Sequence, residues 1–320
     1  MSILIALIPA IAWGSVGIVT TKMGGSAAQG TLGMTLGALV FGLGTMFIYV
    51  LPAAGSDYAF NPRIWIVGGV SGLFWAVGTA GQFIGFKKLG VSIGNPISTA
   101  GQIIFNAIMA AAVLGDWKTS RMWIFGLIAI AMVVLGAYFT SIPDANAPKK
   151  MNAEFSWSAG LLAMFISTLG YMMYFVFPNL LAKIGYISAS LKAGPSGSAD
   201  GLYYMTSIVG PQSIGQVVGA LIIVIFFMKE KELFAKATWR NMITGVVWAI
   251  GNVFMFISAA NPNIGQATAA TLSQMGIIVG TFGSIWILGE RKSRRQMVFI
   301  VIGVILVALG GIMISKLASL

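Results

Sequence analysis

The sequence predicts an all-α membrane protein with ten transmembrane helices, arranged as two inverted five-helix repeats. Composition, the placement of charge and an internal duplication predict it. Of the 320 residues, 58% are apolar and 8% charged, where soluble domains carry roughly a quarter charged; the mean hydropathy is +0.90. The 27 charged residues all fall between or at the edges of apolar windows, as expected when one charge at the bilayer centre costs about 3 kcal/mol. The duplication shows in paired strings. Ser71 to Gly78 aligns with Thr244 to Gly251 at an offset of 173, and the stop Leu114-Gly115-Asp116 aligns with Leu288-Gly289-Glu290 at 174. Leu32 to Val40 aligns with Ile214 to Ile222 at 182. The copies are residues 1–145 and 156–320, with 146–155 as a linker, together one integral membrane domain. Five spans per copy is odd, so the second copy must cross in the opposite sense to the first.

A spanning helix needs about 20 apolar residues, and ten windows qualify. Ile3–Thr21 lacks a basic leader region and a small-residue cleavage site, so it reads as a retained helix. Leu32–Leu51 carries the close-packing pair Gly33 and Gly37, which the alignment sets against Gly215 and Gly219 in the seventh window. Ile64–Phe86 opens behind Arg63 and closes on Lys87-Lys88. Val91–Leu114 contains Asn95-Pro96, which predicts a break or kink, and ends at the first glycine-acid stop. Met122–Ser141 completes the first copy. The second comprises Ser158–Phe177, Leu202–Met228, Met242–Ala260, Ile264–Leu288 with Gly276 and Gly280, and Met297–Ile314. Between Pro178 and Gly201 lies the longest loop, rich in Gly, Ser and Ala toward its end.

The net charge of +11 is spread thinly over the loops rather than gathered in a stripe, which argues against a nucleic-acid partner. Odd-numbered loops hold 13 Lys and Arg and the other side 6, a bias that places both termini outside the cytoplasm of a multi-pass cell-membrane protein. With no His or Cys, thiolate or imidazole metal sites and a Ser-His-Asp triad are excluded, and no GxxxxGK[ST] loop is present. The chain is therefore expected to be no enzyme and to carry neither metal nor cofactor.

An inverted repeat is the architecture of secondary transporters, with the substrate near the midplane. The spans lack ionisable groups, so the solute should be neutral and polar. Amides and hydroxyls, which donate and accept at once, stand in the spans beside aromatic rings. Trp75, Thr79 and Gln82 share one face of the third window, and Trp248 and Asn252 repeat part of it in the eighth. Ser98 and Gln102 stand in the fourth, Thr271, Ser273 and Gln274 in the ninth, Trp13 and Ser15 in the first, Gln212 and Gln216 in the seventh. An indole offers a flat face to a sugar ring, so a monosaccharide fits best, with Trp75 and Trp248 flanking the ring and Gln82, Asn252, Gln102 and Gln274 on its hydroxyls. For each polar residue the plain alternative is an interhelical hydrogen bond, and for the tryptophans interfacial anchoring, which suits Trp117 and Trp239 better than Trp75 and Trp248. Export of small neutral or amphipathic metabolites, or sugar sensing without transport, stay open as other functions.

Several strings resemble the glucose/ribose porter family of the drug/metabolite transporter superfamily: IPAIAWGS from Ile8, TLGMTLGAL from Thr31, SGLFWAVG from Ser71, NPISTAGQ from Asn95, PQSIG from Pro211, VVWAIGNVFMF from Val246 and ILGERKSRRQM from Ile287. The resemblance covers essentially the whole chain. It implies a ten-helix permease importing glucose, or next ribose, by alternating access, in a family often described as proton-coupled; with no carboxylate inside a span to carry the proton, facilitated diffusion stays open beside it. The loop near Gly194 to Gly201 departs from the compact one expected for the family.

Overall fold

Glycines in left-handed backbone end the helices where the sequence placed its stops. Gly115 and Gly289 have φ of +72° and +70°, a conformation open to glycine at little cost, so the fourth and ninth windows stop alike. The computed structural model describes residues 2–115, 117–142, 155–195, 202–260, 272–273 and 275–317. Within them the long helices are α1 (Ser2–Met23), α2 (Ala27–Thr45, extended by a π turn to Val50), α3 (Pro62–Leu89), α4 (Val91–Met109), α5 (Ser120–Ser141), α6 (Trp157–Lys183), α7 (Leu202–Ile222, extended by a π turn to Phe227), α8 (Lys236–Ala260), α9 (Gly276–Ile287) and α10 (Arg294–Lys316). No strand occurs among the described residues. Among the described residues, eight helical segments are long and apolar enough to cross a membrane; α8 and α9 lie outside that set, and α9 is described for only 12 residues. Large apolar side chains point outward, among them Ile48 at 81% and Phe227 at 77% exposure, a surface suited to lipid rather than water. This is a multi-pass membrane protein.

The chain forms two compact units whose segments interleave along the sequence. One comprises Met1–Lys22, Gly81–Thr168 and Ile250–Leu320. Its core joins α4, α5, α9 and α10 through Ile103, Val133, Ile277, Ile300, Val304 and Val307. Here α5 and α10 approach until their backbones touch. A Cβ on Gly136 would lie 2.6 Å from Gly303 O and 2.8 Å from Val307 N; one on Gly310 would lie 2.8 Å from Ala129 O and 3.3 Å from Val133 N. Gly310, Gly303 and Val307 are Gly136, Ala129 and Val133 displaced by 174, the offset of the glycine-acid stops. The contact is therefore reciprocal, as in an interface with twofold symmetry, and its register runs antiparallel. In the same unit α1 packs on α9, where a Cβ on Gly14 would come within 2.4 Å of Gly276 O.

Glu290, in the stop after α9, caps α4. Its carboxylate accepts from the Val91 N–H at 2.8 Å, from the Ser92 N–H at 3.3 Å and from the Ser92 hydroxyl, and pairs with Lys292 at 3.6 Å. Anions at helix N-termini are favourable. Burial is the largest influence on Lys292 and lowers its pKa, opposed by the Glu290 charge. Downstream, α4 runs through Pro96 as unbroken helix, in place of the expected break. Proline here removes only the bond to Ser92 O, in the first turn.

The second unit comprises Met23–Ala80 and Leu169–Ala249. Small residues again set its contacts. A Cβ on Gly245 would lie 2.1 Å from Met34 O and 2.7 Å from Ala38 N, and one on Gly37 2.1 Å from Met242 O, so α2 and α8 touch. Likewise a Cβ on Gly72 would lie 2.1 Å from Gln212 O and 2.8 Å from Gln216 N, and one on Gly215 2.0 Å from Gly69 O, so α3 and α7 touch. The two sets coincide when α2 is displaced onto α7 by 178 and α3 onto α8 by 173. Gly37 thus takes the place of Gly215, about one turn away from the offset of 182 read from the sequence. Apolar string matching cannot fix a register that backbone contact fixes. At the start of α2, Ser26 forms a capping box with Gln29 and gives its hydroxyl proton to Glu230, whose pKa that bond lowers.

Candidate functional site

In the first unit, three polar side chains converge inside the helices. Gln82 Nε2, from the last turns of α3, donates to Ser98 Oγ on α4 at 2.9 Å, and Gln102 Nε2, one turn further along α4, donates to the same oxygen at 3.2 Å. Ser98 is fully buried, while the two glutamines are half-buried. Two amide donors thus share one hydroxyl acceptor. The cluster carries no charge, and the described charged residues all sit in loops or near helix ends.

The same unit holds other residues singled out in the sequence. Trp13 lies against α8, where a Cβ on Gly251 would meet its Nε1 at 2.3 Å, and Asn252 follows, buried at 7% exposure. Ser273 is buried at 6%. Ser15 gives its proton to Ala12 O in its own helix at 2.9 Å, so its hydroxyl keeps only an acceptor to offer. Gln274 and Thr271 lie outside the described residues.

The sequence missed Asn95 and Asn106. Asn95 Nδ2 and Asn106 Oδ1 are buried without a hydrogen-bond partner among the described residues, a state that costs about 1–3 kcal/mol per group. With Ser98 and Gln102 they form a helical stripe at i, i+3, i+7 and i+11, which is why α4 is the most amphipathic of these helices. That spacing was readable and is the signal that would have found them.

In the second unit stand Trp75 and Trp248, 173 positions apart, the offset of the aligned strings that hold them. Rather than standing apart to sandwich a ring, they touch each other, with centroids 4.8 Å apart and planes tilted by 56°. Trp75 is 1% exposed. Tyr171 on α6 meets Trp75 edge-on at 6.3 Å and bonds Thr79 Oγ1 at 3.1 Å. Nothing in the repeated strings signals Tyr171. Gln212 Nε2 donates to Ser71 Oγ at 2.8 Å, an ordinary interhelical bond, and Gln216 Oε1 is buried without a partner among the described residues. Of the expected interfacial tryptophans, Trp239 is 53% exposed, while Trp117 is packed with Ala107, Ala111 and Leu317 in the first unit.

A family described as sugar transport protein matches residues 4–317. The chain is 42% identical to a putative sugar uptake protein of Lactiplantibacillus plantarum, with all of both chains covered. It is 37% identical to a probable glucose uptake protein of Priestia megaterium, again over the whole of both, and 36% identical to the glucose uptake protein of Bacillus subtilis, covering 96% of this chain and 95% of that one. A solved crystal structure covers 99% of the chain and 97% of its own at a TM-score of 0.53 and 14% identity, a likeness of fold alone.

Proposed function

We infer that this chain, which belongs to the sugar transport protein family, imports a monosaccharide across the cell membrane by alternating access. Glucose leads, because relatives 37% and 36% identical over nearly their whole length are named glucose uptake proteins; ribose is next. The observation that carries the solute class is the uncharged cluster of Gln82, Ser98 and Gln102 inside the helices. Amides and a hydroxyl satisfy a polyol and give a charged solute no counter-ion. We assign hydroxyl binding to these three, with Trp13, Asn252 and Ser273 of the same unit as further candidates.

Alternating access draws support from the reciprocal α5–α10 contact. Equivalent helices of the two copies run antiparallel there, as they must when copies of five spans cross in opposite senses, the architecture of rocking transporters. On this reading residues 1–145 and 156–320 are the repeats, ten spans in all, and the bias of basic loops sets both termini outside the cytoplasm. Proton coupling has no carboxylate in the interior of the described spans to carry it.

Uptake of radiolabelled glucose and ribose into a transport-deficient strain tests the assignment. Gln82→Ala is expected to raise the half-saturation concentration about fivefold at normal membrane levels, the weight of one neutral hydrogen bond of about 1 kcal/mol. Unchanged kinetics would remove Gln82 from the site.

A further inference from the structure

The polar stripe of α4 is longer than the cluster it contains. Asn95, Ser98, Gln102 and Asn106 project within an arc of about 80°, and Asn106 stands about 16 Å along the axis from Asn95. That is roughly half the ~30 Å hydrocarbon thickness. Its middle is closed by the two glutamine bonds to Ser98, while both ends carry an atom with no partner among the described residues, a donor at Asn95 and an acceptor at Asn106. Asn95 is 7% exposed. The amide has its place only because position 280 is glycine, since a Cβ there would lie 2.2 Å from Asn95 Nδ2. At that distance along α4 neither asparagine can satisfy the other, and water is scarce at membrane depth. A leucine at either position would avoid the cost.

We propose that Asn95 and Asn106 are sugar-contacting residues, the two outer rungs of a hydroxyl ladder on α4. Asn95 donates to a hydroxyl oxygen, and Asn106 accepts a hydroxyl proton. The assignment rests on the monosaccharide reading above and extends it along the helix. The sugar exchanges hydrogen bonds rung by rung, so it need not be stripped of all partners at once. It also makes the pair specificity-determining, because a site built to bond a hydroxyl rejects the analogue that lacks it.

The test uses the full-length protein in liposomes, with glucose counterflow competed by 1-, 2-, 3- and 6-deoxyglucose. In the wild type, at least one analogue is expected to compete about fivefold more weakly than glucose. In Asn95→Ala, glucose weakens by that factor while this analogue keeps its inhibition constant, and the gap closes; Asn106→Ala closes a gap of its own. A structural role would weaken glucose and every analogue in parallel, leaving the ratios as in the wild type, and that result overturns the assignment. If Asn95→Ala does not reach the membrane, Asn106→Ala, half-buried and three turns away, is read alone by the same criterion. A wild type with no glucose counterflow would overturn the transport reading itself and this assignment with it, whereas unchanged ratios in an active protein overturn the assignment only.

Discussion

Gly136→Leu and Gly310→Leu should each destabilise the protein, by similar amounts of about 3 kcal/mol. Each glycine faces backbone of the opposite helix, Gly303 O at 2.6 Å from a Cβ on Gly136 and Ala129 O at 2.8 Å from one on Gly310. A carbonyl cannot swing aside as a side chain can, so the helices must part and give up the contacts on both sides. In lipid those contacts are the main attraction between helices, because no hydrophobic effect holds them together. Thermal unfolding in detergent measures both. Gly44→Ala is the control, since a Cβ there meets nothing within 4 Å, and it should leave stability within about 1 kcal/mol. The equality of the two leucine effects is the informative part. Reciprocal contacts require it, and a large effect at Gly136 with none at Gly310 would mean that the α5–α10 interface lacks the twofold relation.

Ser98→Ala carries the second large effect. Its hydroxyl oxygen is the acceptor for both Gln82 and Gln102, so removing one atom unties two amides and disorders the cluster. Glucose uptake is expected to fall about tenfold or more, as two neutral hydrogen bonds of about 1 kcal/mol each would imply. Ser284→Ala serves as comparison. That serine is as fully buried in the same unit, but among the described residues its hydroxyl bonds only Thr281 O of its own helix, at 2.8 Å, and its loss should leave uptake near wild type. Equal losses in both variants would show that any buried hydroxyl of this unit matters as much, and would remove Ser98 from the site.

Much of this was legible in the sequence because lipid enforces simple rules. Charge is excluded from spans, so the apolar windows located the described helices, and glycine is needed where backbone turns left-handed, so the stops at Gly115 and Gly289 stood out. The α5–α10 contact obeys the offset of 174 that those stops define. Register was less legible. Gly33 and Gly37 align with Gly215 and Gly219 as strings, yet backbone contact pairs Gly37 with the place of Gly215, because neighbouring apolar turns look alike in sequence and only close approach distinguishes them. Residue type and spacing singled out Gln82, Ser98 and Gln102, which hydrogen bonds join in the structure. That Trp75 and Trp248 would touch was not legible, since matching strings carry no information on which helices pack together. Tyr171 and the unpaired atoms of Asn95 and Asn106 were invisible, because a partner or its absence belongs to three dimensions.

Counterflow in proteoliposomes tests the central claim most directly. Purified protein is reconstituted with unlabelled glucose inside and labelled glucose outside, with and without an imposed pH gradient. The account predicts transient accumulation of label, slowed in Ser98→Ala and in Gln82→Ala and abolished when the internal sugar is omitted. Saturable binding of glucose with no accumulation of label under either condition would contradict it, and would make the chain a membrane sugar receptor instead of a carrier.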